Sequence, residues 1–589
     1  MKRIITILSV AAAAALLAPS CSKDLLQLEN PNSLSSSTAY TYETDLDAAL
    51  VGVYHAFNGG FFNSGMSIIF DSQSDEGYSY SPAMDLVDFV SFKYPNYDQN
   101  WNVTQWKCLY NQIARCNQVI TYIENVEEWS KFKKEEILGQ AKAIRAWDYY
   151  MLTMLYQHPP YVDYIAPAGD QPAQTPYEEL CGKIIEDAKY AYDNLPSDYL
   201  SGPWKGQYRV TKWFAATLLG RVNMNSGNYA EAAKWFKDVI DNGKSVGGEK
   251  LALVDDYLWN SDDAHENNKE AVFELQFAKG NANSGYFAAY GWGWNDGATP
   301  DHRNWRWKLM CPSPVGWGDF CAETWLVYAF KNEKTVKNTP RTTAGQFDQR
   351  LECSLFYLDI WKDYPGHAQW QWSEGYEQKV EKGELDAPGW YSVDAETGKG
   401  SYWTGDRVFT NKYTNWYGGD FNVKIADNEP TNVRVFRLGE ILMDYAECLA
   451  KTGDLKGAVE QIDIVRQRAG LAKLADREPV PAVWTNPLTN ETIDFNKDYG
   501  YAAVKSGSYT LDDLMSVIDL EDMKETCYDS ERNVNLRRWG VGDMSSAFYK
   551  RVAARSSKYK EQFAPHKVWI PIPQSEVKNN PNLDQIEGY

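Results

Sequence analysis

Trp292, Trp294, Trp305 and Trp307 lie together in YGWGWNDGATPDHRNWRWKLM (290–310), interleaved with Asn295, Asp296, Asp301 and Arg303. An indole offers a flat apolar face, and the neighbouring amide, carboxylate and guanidinium groups can each make paired hydrogen bonds. Together they suit a ligand with a flat C–H face bordered by hydroxyls, which is what a sugar ring presents. A W-x-W pair in extended backbone projects both rings to one side, so Trp292 and Trp294 could meet consecutive units of a chain. The competing role for these rings is packing beneath their own loop. About half of the four are expected to do so, because tryptophan is usually well buried.

Other chemistries find less support. The chain holds 80 Asp and Glu, so carboxylate pairs of the glycosidase kind carry no signal by number alone. Its six histidines, at 55, 158, 265, 302, 367 and 566, form no HxxxH or HExxH spacing, which argues against a helix-borne zinc site. There is no GxSxG elbow and no phosphate-cradling glycine loop. In DSQSDEGYSYS (71–81), Asp71, Asp75 and Glu76 are of the type calcium takes, but the EF-hand spacing and its distal Glu are missing. A solvated acidic turn is the favoured reading, and no cofactor is expected. ERNVNLRRWG (531–540) carries Arg532, Arg537 and Arg538; an anion clamp competes there with a structural ion-pair helix, and the structural role is favoured. Trp147, Tyr149, Tyr150 and Tyr156 recur at helical spacing, the pattern of a core stripe. A net charge of −21 repels polyphosphates, so nucleic acid is set aside as a partner.

Residues 1–20 read as a secretory signal. Lys2 and Arg3 precede a mainly apolar run, Ile4 to Leu17, too short to span a bilayer permanently. Cys21 follows directly, as in a bacterial lipobox, although Ala18 stands where Leu is usual. Acyl chains on Cys21 would tether the protein to a membrane without spanning it, and residues 21–38 would be the flexible tether. Of the other cysteines, Cys108 and Cys116 share one apparent helix and cannot bridge. A Cys311–Cys321 disulfide is open outside the cytosol.

The elements that would hold the tryptophan loop are helix pairs. AATLLGRVNMNSGNYAEAAKWFKDVI (215–240) has a tetratricopeptide layout, with small Gly220 at the expected close approach and a Gly-Asn-Tyr turn. ILMDYAECLAKTGDLKGAVEQIDIV (441–465) repeats it, with Ala446, the turn Gly453-Asp454-Leu455, Ala458 and Ile462. Helical patterns at 44–57, 105–125, 135–157 and 176–194 complete an N-terminal body, and EAVFELQF (270–277) is the clearest strand. The expected fold is mainly α: about four tetratricopeptide-like helix pairs in a right-handed superhelix, with a large irregular insertion carrying short strands. Residues 39–589 are expected to form one domain: a helical body at 39–245, the Trp-rich region at 246–430, and a C-terminal helix pair and tail at 431–589. Insertions on such a scaffold gather on one face, often the binding face.

RVTKWFAATLLGRVNMNSGNYAEAAKWFKDVI, RLGEILMDYAECLAKTGD, VRQRAGL (465–471), ERNVNLRRWG and the ending VWIPIPQSEVKNNPNLDQIEGY (568–589) resemble the SusD/RagB-type nutrient-binding outer-membrane lipoproteins. The motifs occur in family order along nearly the whole chain, and the central Trp-rich region shows the least similarity. The resemblance implies a surface-exposed lipoprotein, anchored through Cys21, that is not an enzyme. Such a protein captures a glycan, or a peptide in the RagB-like branch, and delivers it to a SusC-like TonB-dependent transporter for which it is the lid. It also implies aromatic ligand contacts after the Asp-Glu pair, at Tyr78 and Tyr80. The aromatic richness favours a glycan, and the acidic surface favours a neutral one. The ligand residues expected are Tyr78, Tyr80, Trp292, Trp294, Asn295, Asp296, Arg303, Trp305 and Trp307. Competing classes are a peptide-capturing member, a surface glycosidase, and a structural lid with little ligand affinity of its own.

Overall fold

A computed structural model describes residues 40–58, 62, 66–79, 81, 85–277, 318–357, 360–365, 367, 390–393, 400–403, 408–413, 431–529 and 531–589. Among these residues, helices combine into four pairs. They are α1 (Glu43–His55) with α2 (Asn100–Tyr122), α3 (Lys134–Tyr156) with α4 (Tyr177–Asn194), α5 (Lys212–Asn225) with α6 (Tyr229–Asn242), and α7 (Leu438–Lys451) with α8 (Leu455–Arg468). Each pair also packs on the next, so the array is continuous although α6 and α7 are far apart in sequence.

The small residues sit where the pattern requires them. A Cβ on Gly220 would lie 2.5 Å from the Phe236 ring, so only glycine lets α5 and α6 approach this closely. The turns within the last two pairs place Gly227 at φ 78° and Gly453 at φ 96°, a region that favours glycine. Asp454 then caps α8, accepting a hydrogen bond from the Gly457 N–H at 2.8 Å. Trp147, Tyr149, Tyr150 and Tyr156 are buried in α3, as a core stripe should be. Cys108 and Cys116 both lie on α2.

Beyond the pairs come α9 (Leu511–Thr526), packed on α7 and α8, then α10 (Arg532–Arg538) and α11 (Ala547–Arg555). The C-terminal tail runs back to the first helices: the Ile570 N–H donates to the Leu155 carbonyl at 2.9 Å, and Asn102 Nδ2 donates to the Pro571 carbonyl at 2.8 Å. One apolar core extends from Leu46 to Ile586. No helix among the described residues is long and apolar enough to cross a membrane.

The strands are short and pair antiparallel: β1 (Gly77–Ser79), β2 (Ala271–Leu275), β3 (Phe320–Ala322), β4 (Leu355–Phe356), β5 (Trp390–Val393), β6 (Gly400–Trp403), β7 (Phe409–Thr410), β8 (Val433–Arg437), β9 (Val483–Thr485) and β10 (Thr492–Asp494). The partners are β1–β3, β2–β8, β4–β7, β5–β6 and β9–β10. The expected strand is β2, and its pairing with β8 matters most. Ala271 lies opposite Arg437 and Leu275 opposite Val433, so the central insertion leaves and rejoins the scaffold at one clamped point.

That clamp stands on buried charge. Arg437 bridges Glu270 at 3.1 Å, Glu525 at 2.5 Å and Asp529 at 2.7 Å, all of them buried. Arg350, from within the insertion, reaches Asp348 at 2.7 Å and Glu525 at 3.2 Å. Isolated charges would be expelled from such an interior, and only multiple pairing holds them there.

Candidate functional site

The turn Asp71–Glu76 carries the chain into β1, and it corrects the expectation of a solvated acidic loop. Every residue from Asp71 to Glu76 is buried. Asp75 accepts from Arg532 Nε at 2.9 Å and pairs with Arg555 Nη2 at 2.6 Å; its carbonyl accepts from Trp325 Nε1 at 2.8 Å. Asp519 completes the cluster, 2.6 Å from Arg532 and 2.9 Å from Arg555. Burial pushes the Glu76 carboxyl well above its usual range, against the pull of Arg532. The physical reason for the correction is distance along the chain. The arginines that neutralise this turn come from α10 and α11, and a local sequence window cannot show them.

The same contacts assign ERNVNLRRWG its favoured structural role. Arg532 holds Asp75, Arg538 pairs with Glu447 at 2.7 Å, and Arg537 stacks over the Trp569 ring at 3.8 Å.

β1 is thereby fixed, and with it Tyr78. Tyr78 lies opposite Cys321 of β3, and Ser79 Oγ donates to the Asp319 carbonyl at 2.5 Å. β3 in turn bridges to Val408. The Trp-rich stretch therefore rejoins the described fold beside the strand that carries Tyr78.

Tyr78 faces a cleft of about 860 Å³, within the range of small-molecule sites. One side is formed by Tyr78 and Ser79 of β1 with Val87 and Ser91. Another is formed by Glu323, Thr324, Val327, Tyr328 and Lys331, and the β9–β10 hairpin supplies Val483, Trp484, Thr485 and Leu488. Tyr357 and Val408 close the insertion side. Burial pushes the Glu323 carboxyl up to about 7, against Lys558 and a hydrogen bond from Ser556 at 2.9 Å. Burial also pulls the Lys558 ammonium down to about 8, while Glu323 and Asp75 act the other way. Lys558 donates to the carbonyls of Ser72 and Gly77, each at 2.5 Å, and Lys331 pairs with Asp363. The cleft thus combines half-exposed aromatic rings, hydroxyl groups and cations already engaged by the protein.

Of the ligand residues expected from sequence, the structure places Tyr78 on this cleft. Tyr80, Trp292, Trp294, Asn295, Asp296, Arg303, Trp305 and Trp307 lie outside the described residues, as does Cys21. Cys311 lies outside them too, and Cys321 is buried in β3. Sequence reasoning missed Tyr328, Glu323 and the hairpin residues Trp484 and Leu488. A signal existed for the hairpin, though a faint one: two short stretches, VWT and TID, flank Asn486-Pro487-Leu488-Thr489-Asn490-Glu491.

Comparison with known proteins agrees with this architecture. A family model described as "SusD family" matches residues 269–589, and a second, "Starch-binding associating with outer membrane", matches residues 24–224. Among curated proteins, SusD-like protein P25 of Formosa agariphila is 24% identical over 314 residues, covering 48% of this chain and 54% of its own length. SusD-like protein P2 of the same organism is 28% identical over 249 residues, covering 41% and 46%. The chain thus spans about half the length of the curated relatives it matches. Among solved structures, a SusD superfamily protein from Bacteroides vulgatus superposes with a TM-score of 0.67 at 21% identity, over 94% of this chain and 100% of that one. A laminarin binding SusD-like protein gives 0.64 at 22% identity, over 93% and 100%. Surface glycan-binding protein A from Bacteroides thetaiotaomicron, in complex with laminarihexaose, gives 0.64 at 17% identity, again over 93% and 100%. At these identities the superpositions establish a shared fold. With one family model spanning more than half of its length and helix pairs of the matching architecture, the chain belongs to the SusD family.

Proposed function

We propose that this protein is a cell-surface glycan-binding lipoprotein. It captures an oligosaccharide or polysaccharide in the cleft beside Tyr78 and passes it to a SusC-like TonB-dependent transporter in the outer membrane. Cys21 carries the lipid anchor, and the Trp-rich loop with Trp292, Trp294, Trp305 and Trp307 contributes stacking platforms to the same site. The observation that carries this reading is the cleft, which joins Tyr78 to hydroxyl-bearing side chains beside β3, the first described strand after the Trp-rich stretch in sequence. Two structural neighbours named for laminarin or laminarihexaose, and a family model named for starch, support the ligand class.

The chemistry is binding without turnover. Hydrolysis of a glycosidic bond calls on two carboxyl groups flanking it, and among the described residues lining the cleft Glu323 is the one carboxylate. A neutral glycan fits better than an anionic one, because Lys331 and Lys558 are both engaged by the protein itself.

The test is calorimetric titration of the mature chain from residue 22, without its lipid, against starch- and laminarin-derived oligosaccharides, acidic glycans and casein peptides. Saturable binding of a neutral glycan with no product formed is expected. Binding of peptides alone, or release of shorter sugars, would overturn the reading.

A further inference from the structure

The loop between α8 and α9 does more than connect two helices. It contains the β9–β10 hairpin, whose inner face is rooted in the body. Trp484 and Ile493 are buried, and Trp484 Nε1 donates to Thr324 Oγ1 at 3.1 Å. Asn486 Nδ2 donates to the Ala554 carbonyl at 3.0 Å. The tip is held by its own hydrogen bonds: Asn486 Oδ1 accepts from the Leu488 N–H at 2.9 Å, and the Asn490 N–H donates to the Asn486 carbonyl at 2.9 Å. Asn490 takes φ 57°, the left-handed conformation that asparagine tolerates.

A hairpin fixed this firmly nevertheless exposes two apolar side chains. Leu488 is 71% exposed and Val483 50%, and Tyr328, on the short helix Trp325–Phe330 that the hairpin packs against, is 42% exposed. All three line the cleft that Tyr78 faces. Folding gains nothing from an exposed leucine at a rigid tip, and apolar groups gathered on one concave rim mark a recognition site.

We propose that the β9–β10 hairpin and Tyr328 form a second wall of the ligand cleft, a subsite that holds additional units of a neutral oligosaccharide by their C–H faces. The proposal rests on the glycan-binding function argued above and adds residues to it that no family resemblance supplied. The occupant is set by the lining. Val483, Leu488 and the Tyr328 ring offer apolar platforms, and the lining also holds Thr324 and Thr485, whose hydroxyls are engaged by Trp484 and Thr492. Neither lysine of the cleft is left for an anionic group. A protein partner would dock on a flatter and larger surface. Because both walls are anchored before ligand arrives, little ordering opposes capture.

A subsite of this kind predicts a dependence on chain length. Tyr328→Ala and Leu488→Ser, made in the mature chain, would be titrated with laminarihexaose and maltoheptaose, and with laminaritriose and maltotriose. Each substitution should weaken binding of the longer sugar by about tenfold, as loss of an interface anchor does, and leave the trisaccharide within about twofold. Thermal unfolding should not change, since both side chains are exposed. If the wild-type chain binds a longer sugar and both variants bind it equally well, the second wall is wrong and the binding function stands. Equal losses for long and short sugars would also remove the separate subsite. If the wild-type chain binds none of the four sugars, the wall as proposed falls, and the glycan reading is decided by the wider panel of the calorimetric test.

Discussion

Arginines are fully enclosed beneath α7, α9 and α10, while on the rim of the cleft a leucine, a valine and a tyrosine stand in solvent. The interior charge is paired: Arg437, Arg466, Arg532 and Arg555 each meet at least two carboxylates. The exposed apolar groups have no such accounting within the fold. The difference teaches where to look for function. In this molecule a cluster of charge signals how an insertion is fastened to a scaffold, and an exposed ring or aliphatic tip signals what meets the ligand.

The comparison breaks most sharply at Asp75. Asp75→Ala leaves Arg532 and Arg555 sharing Asp519, with Asp522 3.8 Å from Arg532, in a buried site. It should cost about 3–5 kcal/mol in urea unfolding, the usual penalty for one buried partner removed. A loss below about 1 kcal/mol would mean that the cluster is not what fixes β1.

Acid should act on the same region next. Burial alone would raise Glu525, but Arg468, Arg437 and Arg350 hold its carboxyl down at about 2, against 4.5 in the unfolded chain. Its folded pKa is depressed, so its contribution is present above 4.5 and is lost as pH falls toward 2. Glu440 and Asp522 behave oppositely. Burial raises them to about 8 and about 7 despite nearby arginines, so each opposes the fold as pH climbs above its unfolded value. From these three groups the urea midpoint should therefore be highest at about pH 4, falling below it as Glu525 protonates and above it as Asp522 and Glu440 ionise more easily in the unfolded chain than in the folded protein. A midpoint still rising at pH 8 would contradict these assignments.

Gly220→Ala presses a methyl into the Phe236 ring and should destabilise by about 1–3 kcal/mol, as overpacking does, with no change in glycan affinity. Trp292→Ala and Trp305→Ala should do the reverse. Each is expected to weaken glycan binding by about 1–3 kcal/mol with stability nearly intact; unchanged affinity in both would move the stacking platforms elsewhere. Smallest of all is the effect of Leu488→Ser on folding, within about 0.5 kcal/mol by thermal melt. A larger loss would make the hairpin tip structural.

The helix pairs were legible in the sequence because their determinants are local. Gly220, Gly227 and Gly453 mark close approach and turn within a few residues of the helices they serve. β9 and β10 were missed because three-residue strands hold too few alternations to stand out. The acidic turn was misread for the opposite reason. Asp75 and Arg532 lie 457 positions apart, so nothing near the turn reveals that its charge is neutralised. At the site, the family motif pointed to Tyr78, and the structure places Tyr78 on the cleft. Tyr328 and Leu488 carried no such mark, since a single exposed apolar residue is unremarkable until its neighbours in space are known.

The most direct test of the account is amide hydrogen exchange of the mature chain, with and without saturating amounts of the glycan that binds best in calorimetry. Protection is expected at residues 77–79, 323–331 and 483–488, with the helix pairs α1–α6 unchanged. Protection confined to those helix pairs, with the cleft exchanging as in the free protein, would contradict it.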